Sequence, residues 1–206
     1  YAALSWICRM TGTELENTEA QINEMPNGNV VLNIGGGIYG TYRDALKDIS
    51  AVLGGFATFN RFGKLEIRQY KSDSNGSLTA RQRKNQRISE YQTFISEVDA
   101  TVDSVVYKSV TGSNQGLTYK LNNKLILGLV STIQPMIDNI LDAIKNVVYT
   151  PAEYDIIYNP IYDLGDMITV NADGYVLKRD IKTIITSYSF TYHSSSKIAG
   201  VGESIF

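Results

Sequence analysis

The feature that most constrains this chain is a helical stripe that runs straight into an alternating hairpin. Tyr42, Ala45, Leu46, Ile49, Val52 and Leu53 recur at the spacing that puts them on one face of a helix, while Arg43, Asp44, Lys47 and Asp48 fill the other. Thr41 stands where an N-cap belongs, and Asp44 three residues later substitutes for the Glu of a capping box. Gly54-Gly55 ends the helix. Phe56 to Asn60 and Lys64 to Tyr70 then alternate with period two around Asn60-Arg61-Phe62-Gly63, whose glycine can take the positive φ of a short hairpin loop. Leu65 and Ile67 are expected to face the helix, and Lys64, Glu66 and Arg68 to face away.

The lead-in to that helix, Ile34 to Asp44, reads IGGGIYGTYRD. Gly35, Gly37 and Gly40 fit G-x-G-x-x-G behind the apolar run Val30-Val31-Leu32. A pyrophosphate loop, however, belongs to a parallel strand-helix-strand unit whose second strand ends in an acid for the ribose. Here the second strand turns back at Phe62-Gly63, Asn60 and Arg61 occupy the place of that acid, and the helix starts after the glycines. The stretch therefore reads as a connector, with no cofactor-binding residue. Upstream, Ala3, Leu4, Ile7, Cys8 and Met10 predict a helix over Ala2 to Met10 with Gly12 as its left-handed end. Thr13 to Asn29 is polar and irregular, with a turn at Met25-Pro26-Asn27-Gly28, and Val30 to Asn33 reads as a short strand.

Composition shifts at Lys71 to Asn85, where Leu78 is almost the only apolar side chain. This reads as a long exposed connection and a module boundary. Ile88 to Ile95 and Thr101 to Val110 are strand candidates, and Leu117 to Leu121 returns from the turn at Thr111 to Gly116. Ile133, Met136, Ile137, Ile140, Leu141, Ile144, Val147 and Val148 lie on one stripe, predicting a helix from about Thr132 to Val148 with Pro135 in its first turn. The tail is β-rich: Ala152 to Tyr158, Met167 to Val170, Tyr175 to Lys178 and Ile184 to Tyr192.

The 206 residues are 43% apolar and 19% charged, enough to bury a sizeable core, in one large domain or two small ones. A formal net charge of -2 supplies no global basic field for nucleic acid. The longest apolar run, Leu125 to Val130, is too short to span a bilayer, so neither specific nucleic-acid binding nor membrane insertion is expected. The one cysteine, Cys8, lies in an apolar helical pattern and reads as a small buried hydrophobe. The chain opens at Tyr1 inside that pattern, without methionine, and is expected to be a piece of a longer polypeptide.

Chemical motifs are thin. His193, the one histidine, has no second histidine for zinc and no neighbouring cysteine, and no serine sits in a G-x-S-x-G elbow. Asp163 with Asp166, or Glu97 with Asp99, supply paired carboxylates of the kind a glycosidase uses, at a spacing loops also produce by chance. Asp73 and Asn75 before Gly76 hint at a calcium loop, yet Lys71 and Gln82 fall where its first and last ligands belong. Arg81, Arg83, Lys84 and Arg87 form the one cationic cluster; without interleaved aromatics it reads as a solvated linker. The fourteen tyrosines suit protein interfaces or carbohydrate surfaces, and equally β-rich cores. No catalytic residue and no metal ligand is assigned.

One pattern is familiar. TYRDALKDISAVLGGFATFNRFGKLEIRQY, Thr41 to Tyr70, resembles a segment of tail-hub and tail-tip proteins of long-tailed bacteriophages and prophages. There a "YRD-x-L-x-x-I-A" helix leads through glycine into a "G-x-A-x-x-x-R-x-G-K-L" hairpin. Tyr42, Arg43, Asp44, Leu46, Ile49, Gly55, Ala57, Arg61, Gly63, Lys64 and Leu65 match; Ser50 replaces the usual alanine and Phe62 a common aspartate. Asn122-Asn123-Lys124-Leu125-Ile126 resembles the family's "N-P-x-I" or "N-x-L-I" step before a long helix. Asp163 to Val170 resembles its "x-x-G-D-x-I-x-V" strand, and Ile184 to Tyr192 the strand that follows. Together they cover most of the chain, in the family's order.

The resemblance implies a virion-tail structural protein, made in the host cytoplasm: part of a tail tip or baseplate hub, homotrimeric when full-length, with other tail proteins and host cell-surface components as its expected partners. It also implies two alternatives, a piece of a tail-associated cell-wall-degrading lysin and a carbohydrate-binding tail module. The expected fold is α+β, with antiparallel β-rich modules and two main amphipathic helices, as in baseplate-hub domains. Residues 1–82 are expected to form a helix-plus-hairpin module, and 86–206 a β-rich, barrel-like module with one long helix.

Overall fold

The computed structural model describes residues 1–32, 39–112, 115–126, 131–157, 159–189 and 196–200. Its helices are α1 (Ala2–Thr11), α2 (Glu19–Glu24), α3 (Tyr42–Val52) and α4 (Ile133–Ile144). Its strands are β1 (Gly55–Phe59), β2 (Leu65–Gln69), β3 (Gly76–Leu78), β4 (Arg83–Ile88), β5 (Ile95–Val102), β6 (Val105–Val110), β7 (Leu117–Leu121), β8 (Ala152–Ile156), β9 (Met167–Val170), β10 (Ile181–Ile184), β11 (Ser187–Ser189) and β12 (Ser196–Gly200). The fold is α+β, as the periodicities predict. Two compact units share the chain: Tyr1–Gln69 with Ile95–Lys145, and Tyr70–Phe94 with Asn146–Ile205. That division differs from a single cut near residue 82, because each unit takes in two separate stretches of chain.

In the first unit, α3 forms as its caps dictate. The Thr41 hydroxyl accepts from the Asp44 backbone N–H at 3.2 Å, and donates to the Asp44 carboxylate at 2.7 Å. Gly54, at φ 69°, turns the chain out of the helix into β1. β1 and β2 pair antiparallel from Gly55↔Gln69 to Phe59↔Leu65, and Leu65 and Ile67 are buried as expected. Ile67 packs with Ala45 and Ile49 of α3, Leu53 at its C-cap, Leu4 and Ile7 of α1, and Ile22.

Ile22 belongs to α2, a helix absent from the sequence expectation. Its start is a capping box: the Thr18 side chain accepts from Gln21 N, and the Gln21 side chain accepts from Thr18 N. Val30 to Leu32, expected as strand, lies outside any strand, and Asn33 lies outside the described residues.

The same unit holds a three-stranded sheet in the order β6-β5-β7. β5 and β6 form a hairpin through Asp103 and Ser104, both at positive φ (48° and 66°), the demand of a two-residue turn whose twist matches the strands. β7 returns parallel to β5. α4 covers one face: Ile133, Met136, Ile137, Ile140, Leu141 and Ile144 pack on Val98, Ala100, Val102, Tyr119 and Leu121. Burying each such side chain favours folding by about 1.5–3 kcal/mol. The helix ends at Ile144, before the expected Val148, and Pro135 falls in its first turn, where a missing N–H costs nothing.

The second unit has two small sheets, β11-β12-β8-β4 and β10-β9-β3. Between them lie Leu78, Ala152, Tyr154, Ile156, Ile168, Val170, Leu177 and Ile181. The polar stretch 71–85, expected as exposed connection, supplies β3, which runs parallel to β9, and the start of β4, antiparallel to β8. Leu78 alone anchors β3, and backbone hydrogen bonds do the rest. Ile88 to Ile95 is not one strand: β4 stops at Ile88, and Thr93 makes a single bridge to Tyr149. Tyr175 to Lys178 forms no strand, since its backbone closes a loop on Asp173. Ile184 to Tyr192 is divided between β10 and β11, with its last residues outside the described set.

Asn27 is the buried polar link in the first unit. From φ 57° its side-chain amide donates to Val52 O (2.9 Å) and Met136 O (3.0 Å), while its oxygen accepts from Asn139 (3.0 Å). Asn27→Asp sets a carboxylate against two carbonyls and should destabilise the chain by roughly 3 kcal/mol or more at pH 7. Urea unfolding measures this, and the loss should shrink at pH 4 as the new carboxyl takes up a proton; equal stability at pH 7 would contradict the geometry.

Candidate functional site

The polar residues of interest fall into four clusters; three of them hold backbone in place, and the fourth, Glu97 and Asp99 with Lys108, joins side chains. In the second unit the centre is Arg83, whose side chain is 2% exposed. Its position on β4 turns it inward, beneath the loop after β9. Nε donates to Gln86 (2.9 Å), Nη1 to the Leu78 carbonyl (3.2 Å) and Nη2 to Asp173 Oδ2 (3.1 Å), and the guanidinium lies 6.0 Å from the Tyr154 ring centre. Burial pushes the Tyr154 phenol up to about 12. Of the cationic cluster read as solvated linker, Arg83 is therefore a core residue, while Arg81, Lys84 and Arg87 are exposed.

Asp173 is used on both oxygens. Oδ2 accepts from Gln86 (2.9 Å) as well as Arg83; Oδ1 accepts from the backbone of Tyr175 (2.8 Å) and Leu177 (2.9 Å). The Gln86 hydrogen bond, then the backbone bonds, hold this carboxyl well below the usual carboxylate range. In the sequence Asp173 is visible only as part of an Asp-Gly turn signal, Asp173-Gly174.

The paired carboxylates Asp163 and Asp166 do not act as a pair. Asp166 is buried in the turn before β9, where Gly165 takes φ 83°. Its Oδ2 accepts from Asp163 N (2.8 Å) and its Oδ1 from the Asn75 side chain (2.9 Å). The same Asn75 of the calcium-like stretch gives its backbone N–H to Met167 O at 2.7 Å. Gly76 begins β3 against the Tyr162 ring, 3.1 Å from where a Cβ would stand. Among the described residues no group of three His, Cys, Asp or Glu converges.

In the first unit, Asp48 of α3 accepts from the Tyr39 hydroxyl (2.7 Å) and from Lys124 N (3.1 Å), while its carbonyl accepts from Asn123 (2.7 Å). Asn123 in turn accepts from Leu125 N, so the Asn122-to-Ile126 step is a tie onto α3. Burial, then the Asp48 bond, raises the Tyr39 phenol. Glu97 and Asp99 project from β5 on the face opposite α4, both facing Lys108 of β6. The Lys108 hydrogen bond lowers Glu97, whereas burial, then Glu97, raises Asp99. Such a split resembles an acid–base pair, but the lysine seated between them answers both carboxylates.

Cys8 is buried in α1, as expected. Gly35 and Gly37 of the glycine motif and His193 lie outside the described residues. What is described does not build a dinucleotide unit: β1 pairs only with β2, and α3 starts at Tyr42, after Gly40.

The sequence matches no protein-family model and no curated protein. Among solved structures, the chain is similar to prophage MuSo2 43 kDa tail protein from Shewanella oneidensis, at 15% identity over 96% of this chain and 60% of that one, TM-score 0.49. It is similar to the tail protein from Neisseria meningitidis at 12% identity, over 95% and 64%, TM-score 0.46. Prophage tail protein gp18 from Listeria monocytogenes is matched at 11% identity, over 74% and 50%, TM-score 0.37. The chain thus spans less than two thirds of the length of each of these proteins.

Asp173 protonates less readily folded than unfolded, so its stabilisation is present above the unfolded value of 3.8 and is lost as pH falls through the lower folded value. Gln86→Leu removes the largest cause. The Asp173 titration, followed by carboxyl NMR, should move up toward 3.8, and the fall in stability between about pH 4 and pH 2 should flatten. An unmoved titration would contradict the assignment.

Proposed function

We propose that this chain is a non-catalytic structural piece of a phage or prophage tail tip or baseplate hub, assembling with further copies and with neighbouring tail proteins. One observation carries the reading. The three stretches that resemble the hub family, Thr41 to Tyr70, Asn122 to Ile126 and Asp163 to Val170, occur in the family's order, and their polar residues serve as caps and ties. Thr41 caps α3, Asn123 ties the chain to Asp48, and Asp166 fixes the turn into β9. Polar atoms of Thr41, Asn123 and Asp166 that hold backbone suit a part that must keep its shape under load.

Homotrimerisation, contact with the host surface and residence in the virion tail belong to the same proposal. Antibody raised against the chain and carried on gold should label the distal tail tip of purified particles from the phage or prophage that encodes it. Label on heads, or particles without label, would defeat the reading. Release of soluble fragments from host cell walls by the purified chain, lost on Glu97→Gln, would defeat its non-catalytic part.

A further inference from the structure

The loop after β9 is held far more firmly than its tip requires. Asp173 and Gly174 N–H both donate to the Leu177 carbonyl (3.0 and 3.2 Å), Gly174 sits at φ 78°, and Ala172 N donates to Asp180 (2.7 Å). Asp173 pins the tip from inside and is itself pinned by Arg83 and Gln86, while Leu177 is buried in the core of the unit. Between those anchors stand Tyr175 and Val176, 87% and 68% exposed.

Burying a guanidinium carries a large desolvation cost. In this unit part of that cost goes to fixing a loop whose tip side chains, Tyr175 and Val176, contribute almost nothing to the core. With the backbone under Tyr175 and Val176 already fixed, docking through this tip would cost little backbone ordering, which is one way an interface anchor is made tight. Tyrosine adds a polar tip to a large flat area at low rotamer cost. After the buried Leu177, Lys178 and Arg179 are exposed cations, and Lys178 reaches back to the Gly174 carbonyl at 2.6 Å; the exposed Asp180 that follows is turned to the Ala172 N–H at the loop's base, so the charge nearest the tip is positive.

We infer that the Tyr175–Val176 tip is a preorganised docking anchor for a protein surface that offers an apolar pocket with carboxylates at its rim. In the tail reading, on which the choice of particle rests, that surface belongs to a different tail protein.

The test places a photo-crosslinker in the assembled particle. Tails carrying Tyr175→p-benzoylphenylalanine are irradiated, with Tyr91→p-benzoylphenylalanine, another exposed tyrosine of the same unit, as the control. The expected result is one adduct to a different tail polypeptide, at an apolar position flanked by Asp or Glu, with roughly tenfold less from position 91. Lys178→Glu with Arg179→Glu should cut the adduct per incorporated copy by about tenfold. Tyr175→Ala should leave the unfolding midpoint of the purified chain unchanged, which separates lost docking from lost folding. Tails that contain the chain by immunoblot but give no adduct at 175 overturn this inference alone. An adduct on nucleic acid, glycan or another copy of the chain overturns it too. Tails that lack the chain overturn the tail reading, and this inference with it.

Discussion

Arg83 decides how the second unit closes. It arrives on a strand from a polar stretch with little apolar surface of its own, and its side chain joins three separate pieces of chain: the Leu78 carbonyl at the end of β3, Gln86 on β4, and Asp173 in the loop after β9. A hydrophobe of similar volume would bury as well but would leave the Leu78 carbonyl and the Asp173 carboxylate to find other partners. The charge therefore contributes less to stability than to register: it sets which loop lies over which strand. Everything displayed by that loop, including Tyr175, inherits its position from this contact.

The first unit solves a related problem with neutral groups. Asn27 links the C-terminal end of α3 to α4 through two carbonyls, and Asp48 ties Tyr39 and the Asn123 step onto α3. In both units the elements that must meet are far apart in sequence, 25 and 109 residues for the two Asn27 bonds and 90 for Arg83 with Asp173. Apolar burial drives such elements together without preferring one seating over another; directional hydrogen bonds between buried groups choose the seating. This is why Asp48, Asp166, Asp173, Asn27 and Asn123, which look available in the sequence, are found occupied.

Legibility followed the range of the interaction. The α3 helix, its Thr41 cap, the hairpin turn at Gly63, α4 and β9 are all visible in the sequence because their periodicity and capping are local. α2 was equally local, with Thr18 and Gln21 at capping-box spacing, but only Ile22 anchors it and no stripe announces it. β3 was illegible for a different reason: a three-residue strand with one buried side chain, Leu78, is defined by its partner β9, which lies roughly 90 residues on. Tyr175 to Lys178 misled in the opposite sense, since β-forming side chains there belong to a loop closed by Asp173. The carboxylate ties were hidden too, because spacing shows that Asp163 and Asp166 are neighbours but not that one of them binds the other's backbone.

The account's central claim is that the Asp48, Asp166 and Asp173 carboxylates are engaged in holding backbone. Hydrogen exchange of the amides that donate to them, Asp163, Tyr175, Leu177 and Lys124, tests it most directly. The account predicts that at neutral pH these four exchange at least about tenfold more slowly than in the unfolded chain. Exchange at the unfolded rate would mean that these carboxylates do not hold the backbone, and would contradict the account.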